Sequence, residues 1–324
     1  MSYLSPADDP RASGYLPVDG GHRLYYEQRG AADGIPVVVV HGGPGSGNSA
    51  AHAAFFAADR YRVILADQRG AGRSEPAGRL ENNTTADLLA DLERLRVHLG
   101  IARWLVVGGS WGATLAVLYA AARPESVRGL LLRNPFLARA ADLEWFFGGA
   151  KAKHPAAWLA WAALGAPAAP GTMLPWLDAD LHAASEARQA ALVAAWHGWE
   201  GALAGTPARP LSARKRDGLW RRYRLQCHYF RQNCFLAENG ILDASPALAA
   251  AALPVHVVQG LADDVCPAAA TRLLLARLPH ASWDAIAGVG HDPFAAPMQE
   301  ATRAALDCFA ATAAFPPGNR LPLA

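Results

Sequence analysis

Cysteine is scarce and unpatterned. Cys227, Cys234, Cys266 and Cys308 are the only four in 324 residues, and no two form a C-x-x-C pair. That spacing excludes a zinc ribbon and a disulfide framework, and it fits a reducing compartment. Charge is also thin, at 18% Asp, Glu, Lys and Arg, with a formal net charge of +2. No basic block is present, so neither nucleic acid nor an acidic membrane surface is an expected partner. No apolar run has the length of a membrane span. Met1–Tyr15 lacks the basic and apolar regions of a secretory signal, so a cytoplasmic protein is expected. What the chain does have is apolar bulk. At 52% hydrophobic it can bury a sizeable core, and its length suits one large α/β domain or a core with an insertion.

The most informative stretch is Trp104–Gly112, which reads W-L-V-V-G-G-S-W-G. Leu105–Val107 reads as a buried strand, and Ala113–Ala122 is small and apolar enough to be a helix packed on a sheet. Between them Gly108-Gly109-Ser110-Trp111-Gly112 fits G-x-S-x-G. Strand, sharp turn and helix are the context of a nucleophile elbow. A serine on such a strained turn leaves no room for side chains two residues before and after, and Gly108 and Gly112 supply that room. The helix N-terminus behind Ser110 favours developing negative charge. Out of context the motif is equally an ordinary Gly-rich turn with a surface serine.

Upstream, Tyr15–Arg29 reads as antiparallel edge strands joined at Asp19-Gly20-Gly21. Ile35–Val40 is a central buried strand. It ends in His41-Gly42-Gly43-Pro44-Gly45, a loop of exposed N–H groups that can supply half of an oxyanion hole. The other half comes from the amide after the nucleophile, so the two donors are Gly43 and Trp111. A rival reading takes Gly45–Ala50 as G-x-G-x-x-A, with Asp67 about twenty residues on as the ribose-binding acid of a dinucleotide fold. Tyr61–Ala66 is the next strand. The loop Asp67–Ser74 reads as a structural turn in which Arg69 and Asp67 neutralise each other. Thr84 and Asp87 resemble a capping box, opening a helix with Leu88, Leu92, Leu95 and Leu99 on one stripe. Gly129–Arg133 is a further strand.

Near Phe136 the strands stop. Seven of the ten tryptophans lie between there and about Ser245: Trp145, Trp158, Trp161, Trp176, Trp196, Trp199 and Trp220. Helical periodicity is interrupted at Pro155, Pro167, Pro170, Pro175, Pro207 and Pro210. The expected organisation is an α/β core over 1–136 and 246–324 with a helical cap over 137–245. Trp-rich faces are usually helix-packing core; the sharper expectation is that some line an apolar pocket over Ser110. The core resumes with a strand at Pro254–Val258, a helix at Ala268–Leu278, a strand at Trp283–Ile286 and a C-terminal helix from Pro297 to Ala314, before a Pro-rich tail.

An elbow serine needs a base, and the base an orienting acid. In this fold they follow in the order Ser, acid, His. Ser110, Asp263 and His291 satisfy it, the last two at the ends of the last two sheet strands. Asp264 competes for the role of acid. His41 is better explained as part of the oxyanion loop.

These residues carry a resemblance. HGGPG at His41–Gly45, DQRGAGRS at Asp67–Ser74, GGSWGATLA at Gly108–Ala116, Asp263–Pro267 and Gly290-His291 together resemble the prolyl aminopeptidase (proline iminopeptidase) family of α/β-hydrolases. The likeness extends over nearly the whole chain. It implies an α/β-hydrolase fold: a mostly parallel central sheet with helices on both faces and an inserted helical cap. It implies a serine peptidase that releases N-terminal proline from peptides, needing neither metal nor cofactor. By match to the family's Gly-x-x-Asp-x-Val-Cys-Pro stretch, the acid is Asp263 rather than Asp264.

Family members read the substrate's free amine with two cap glutamates and a carbonyl of the HGGPG loop, here Gly43. The first glutamate matches Glu200. The second lies in a stretch Arg-Ile-Glu-Asn-His-Tyr-Phe that reads Arg224-Leu225-Gln226-Cys227-His228-Tyr229-Phe230 here, so Gln226 replaces it. Gln226 keeps an acceptor but removes a charge, at a cost of about 1.5–3 kcal/mol for one charge-assisted bond. The family's Leu-Arg-Gly after the post-elbow strand is also altered, to Leu132-Arg133-Asn134-Pro135. The leading expectation is a prolyl aminopeptidase acting on small peptide or amino-acid amide substrates. The alternative, favoured by Gln226, is an ester or amide hydrolase of the same fold. A dinucleotide-dependent oxidoreductase is the remote third.

Overall fold

The computed structural model describes residues 2–169, 171–183, 185–206 and 210–318. Eight strands form one sheet: β1 (Ala12–Val18), β2 (His22–Gly30), β3 (Ile35–Val40), β4 (Tyr61–Ala66), β5 (Trp104–Gly109), β6 (Val127–Arg133), β7 (Val255–Gly260) and β8 (Ser282–Ile286). The spatial order is β1-β2-β4-β3-β5-β6-β7-β8. β1, β2 and β4 pair antiparallel at one edge, and every other pairing is parallel.

The continuous apolar runs of β3, β5 and β6 follow from burial on both faces. Alternate residues serve opposite layers. Val38, Val40, Val106, Leu130 and Leu132 pack under α1 (Thr85–His98) and α2 (Trp111–Ala122). Val37, Val39, Leu105, Val107 and Leu131 face Phe55 and Phe309 on the other side. α1 begins at the expected capping box, with Thr84 Oγ1 accepting from Asp87 N and Asp87 returning to Thr84 N.

Between β6 and β7 the described residues form six α-helices: α3 (Ala140–Phe147), α4 (Pro155–Ala163), α5 (Met173–Ala183), α6 (Glu186–Ala204), α7 (Ala213–Arg231) and α8 (Gly240–Ala250). α5, α6 and α7 pack on one another, whereas α8 packs on α2 and on α9 (Ala268–Arg277). Residue 245, the expected boundary, therefore falls inside a helix seated on the core. Of the expected helix breaks, Pro155 is the first residue of α4 and Pro175 lies in the first turn of α5, places where a missing N–H costs nothing. Pro170 and Pro207, and the end of the Pro-rich tail, lie outside the described residues. The chain closes with α10 (Ala296–Thr312).

Two expectations are corrected here. Arg69 and Asp67 do not pair with each other. Arg69 reaches α1, donating to both Asp91 carboxylate oxygens at 2.6 and 2.8 Å. Asp67 instead pairs within the loop with Arg73 Nε (3.3 Å) and accepts from the amides of Asn48 (2.6 Å) and Arg73 (2.8 Å), so the loop's charges do pair, with other partners. The dinucleotide reading also fails. A short 3-10 segment, Ala50–Phe55, follows the loop where a phosphate-binding α-helix is required, and Asp67 is buried with both oxygens engaged by the protein.

Candidate active site

Ser110 sits between β5 and α2 at φ 54°, ψ −123°, outside the regions open to an unstrained side chain. The surrounding contacts explain the flanking glycines. A Cβ on Gly112 would lie 2.0 Å from Val40 O, and one on Gly108 2.3 Å from Gly112 O. The elbow is anchored by Ser110 N donating to Arg133 O (2.9 Å). Its hydroxyl contacts Cys266 Sγ at 3.9 Å. Burial pushes the Cys266 thiol well above its ordinary value, so it stays protonated and is no rival nucleophile.

Asp263 and His291 meet where the topology allows, beyond the ends of β7 and β8. His291 Nδ1 donates to Asp263 Oδ2 at 2.6 Å. Asp263 Oδ1 accepts from the amides of Val265 and Cys266, both at 2.8 Å. Asp264 faces away, paired with Lys153 and His154 of the cap segment. Burial works against the His291 imidazolium, but the charge and hydrogen bond of Asp263 outweigh it and hold its pKa above the ordinary value. Ser110 and His291 line the same cavity, about 350 Å³, which opens between sheet and cap.

The amides of Gly43 and Trp111 donate to no acceptor among the described residues. The loops that carry them are tied by Gln68, a residue the sequence reading passed over. Its Nε2 donates to His41 O (2.8 Å), and its Oε1 accepts from the Trp111 indole (3.1 Å). His41 is buried and held neutral by desolvation. Its Nε2 accepts from Gln68 N (3.0 Å), and its Nδ1 lies 2.9 Å from Gly42 O and 3.3 Å from Gly47 N.

Asn134 gives the altered Leu-Arg-Asn stretch a purpose. It adopts φ 43°, a left-handed conformation that asparagine tolerates better than most residues. Its side chain accepts from Gly260 N (2.8 Å) and donates to Gly290 O (3.4 Å), joining the strand before Asp263 to the residue before His291.

The cap end of the cavity departs from expectation. Glu200 on α6 and Gln226 on α7 do converge beside Gly43, but both Glu200 carboxylate oxygens already accept from the protein. Arg222 Nη2 donates to Glu200 Oε1 at 2.8 Å, and Tyr223 Oη donates to Oε2 at 3.0 Å. Gln226 Nε2 donates to Gly43 O (3.3 Å) and to Glu200 Oε1 (3.4 Å). With two acceptors before it, the Gln226 amide must turn its NH₂ toward them. It stands as a donor where an acceptor for the amine was expected, and its buried Oε1 has no partner among the described residues. Arg222, two turns into α7, carried no signal in the sequence beyond being one of several basic residues on that helix. The apolar wall is made of Phe136, Leu143, Phe146 and Phe230; no tryptophan lines the cavity among the described residues. Trp161, Trp196 and Trp199 are instead buried between cap helices, Trp196 stacked on Tyr223 at 4.4 Å.

A family profile described as the alpha/beta hydrolase fold matches residues 35–295. A proline iminopeptidase of Xylella fastidiosa (strain 9a5c) is 40% identical over 314 residues, spanning 95% of this chain and 100% of that protein. A probable proline iminopeptidase of Leptolyngbya boryana is 36% identical over 316 residues, spanning 96% and 98%. The chain belongs to the proline iminopeptidase family of α/β-hydrolases. Solved structures show the same fold at greater distance. VinJ has a TM-score of 0.64 at 21% identity, covering 92% of this chain and 98% of that one. The proline iminopeptidase of Mycobacterium smegmatis has a TM-score of 0.58 at 18% identity, covering 93% and 98%. Within this family member, no helix among the described residues is long and apolar enough to cross a membrane. No cluster of three or more His, Cys, Asp or Glu among them is arranged to hold a metal ion.

Proposed function

We propose that this chain is a serine aminopeptidase that releases N-terminal proline from small peptides through an acyl-enzyme. The observation that carries the reading is the Asp263–His291 pair, hydrogen-bonded at 2.6 Å and opening onto the same cavity as the strained Ser110. In this mechanism Ser110 Oγ attacks the scissile carbonyl. His291 Nε2 takes its proton and passes it to the leaving amine, while Asp263 holds the imidazole and stabilises its charged form. The Gly43 and Trp111 amides, which donate to no acceptor among the described residues, receive the oxyanion. Water then repeats the sequence on the ester. Glu200, Gln226 and Gly43 O form the end of the cavity at which the proline amine is read. The reading includes a cytoplasmic enzyme, supported by four unpaired cysteines.

A second reading, an ester or amide hydrolase with no demand for a free amine, is favoured by one observation. Arg222 and Gln226 already donate to the acceptors such an amine needs. Steady-state hydrolysis of prolyl-β-naphthylamide, its N-acetyl analogue and a short p-nitrophenyl ester separates the two. The aminopeptidase is supported by turnover of the free-amine substrate that acetylation abolishes and Ser110→Ala lowers by about 10⁴-fold or more. Ester turnover with no preference for the free amine overturns it in favour of the second reading.

A further inference from the structure

The floor of the same cavity holds a cation without a counter-charge. Arg133 ends β6, is 4% exposed, and lines the cavity with Ser110. None of its N–H groups donates to an acceptor among the described residues, and Nε and Nη1 are fully buried. Its guanidinium lies over the Phe55 ring at 4.3 Å, and Phe55 stacks on Phe294, three residues past His291. Burial alone pulls its pKa down to about 10, still far above neutrality, so the group stays charged. The nearby His52 offers no neutralising charge: burial first, then Arg133, hold it down to about 3 and therefore neutral.

A buried guanidinium with unused donors is costly unless a partner arrives. No Asp or Glu among the described residues pairs with it, and Glu200, which lines the same cavity, is taken by Arg222, so a substrate anion is the partner the site can receive. We propose that Arg133 is the subsite for the C-terminal carboxylate of a dipeptide, making this enzyme a dipeptidase for proline-first dipeptides. The proposal rests on the aminopeptidase reading, which fixes the direction of the substrate. With the proline amine toward Glu200 and Gln226 on the cap, the leaving residue runs down past Ser110 toward Phe294 and His291. There its amine receives the proton from His291, and its carboxylate meets Arg133 at Nη2, the guanidinium nitrogen that the protein does not enclose. A longer peptide or a C-terminal amide brings no charge to that position and leaves the guanidinium unpaired.

The test compares kcat/KM for prolyl-alanine, prolyl-alaninamide and prolyl-β-naphthylamide on the wild type, Arg133→Met and Arg133→Lys. One charge-assisted pair in a desolvated site is worth about ten- to a hundredfold. The wild type is expected to prefer the acid over the amide by at least tenfold. That ratio should fall to about one in Arg133→Met and recover in part in Arg133→Lys, which keeps the charge on a differently placed donor. A wild-type ratio near one, with prolyl-β-naphthylamide turned over, overturns the proposal and leaves the aminopeptidase reading intact. So does an unchanged ratio in folded Arg133→Met. Absence of turnover of all three proline substrates removes the reading itself, and the proposal with it. The wild-type ratio is decisive even if neither variant folds.

Discussion

Replacing Arg222 with leucine should improve the reading of a free amine. In the structure Arg222 Nη2 lies 2.8 Å from Glu200 Oε1, with side-chain exposures of 25% and 16%, so the pair is largely but not wholly desolvated. A substrate ammonium arriving at Glu200 meets a carboxylate that already has a cation, and adds a second positive charge beside it. Without Arg222 the ammonium supplies the only counter-charge and restores a charge-assisted bond of about 1.5–3 kcal/mol. That corresponds to a roughly ten- to hundredfold fall in Ki for free proline and in KM for prolyl-β-naphthylamide. Because ground state and transition state share the contact, kcat should change little. N-acetylproline, which carries no ammonium, should gain nothing. The same change leaves Glu200 with neutral donors only, Tyr223 and Gln226, and no counter-charge in the empty site. Breaking a fully buried pair costs about 3–5 kcal/mol, so with this exposure a stability loss of about 1–3 kcal/mol is expected. Denaturant unfolding reads that loss, and inhibition by proline set against N-acetylproline reads the gain. If Arg222→Leu weakens free proline, or shifts both ligands equally, Arg222 is not a competitor for the amine and the reasoning fails.

Two further outcomes follow from the same geometry. His291 must be neutral to accept the Ser110 proton, and Asp263 raises its pKa, so kcat/KM should fall on acidification with a midpoint above 6.5; Asp263→Asn should move that midpoint down, and a pH–rate profile reads both. The sign for stability is opposite: this pair stabilises the fold most with His291 protonated, and its contribution fades as pH rises through the folded-state value. At the elbow, Gly112→Ala puts a Cβ 2.0 Å from Val40 O, 2.8 Å from Val40 C and 2.9 Å from His41 O, all backbone that rigid β3 cannot withdraw. It should cost about 3 kcal/mol or more and displace the Gly43 amide, giving a Tm lower by several degrees and kcat reduced at least about a hundredfold; near-native values for both would show the loop to be more yielding than its packing implies.

The core of this protein is legible because each of its signals is local. A run such as Ile35–Val40 cannot bury both faces except inside a parallel sheet. Ser110 carries its own context in the glycines two residues either side, and Asp263 and His291 are fixed by strand order. The cap end is different, because what decides it is which side chains meet across two helices. Glu200 on α6 and Gln226 on α7 were legible as positions but not as partners. Read alone, Gln226 offers both a donor and an acceptor. Only the proximity of Gly43 O and Glu200 Oε1 forces its NH₂ inward.

Arg222 was invisible for a related reason. Arg214, Lys215, Arg216, Arg221, Arg222 and Arg224 are spread around one helix with nothing in the sequence to single one out, yet Arg222 alone among them donates to Glu200. Arg133 hid in the opposite way, as the last residue of a buried strand whose apolar run ends one position earlier. Setting aside the paired Asp263 and His291, the cavity's fixed side chains carry one negative charge, Glu200, and two positive, Arg222 and Arg133; burial holds His41, His52 and His197 neutral, and Gln226 adds none. The preference inferred from the sequence was for a cationic ligand end alone. The observed balance suits a substrate that brings both signs, an ammonium toward α6 and a carboxylate toward β6. A dipeptide does so, and each of its ends can be removed separately by acetylation or amidation.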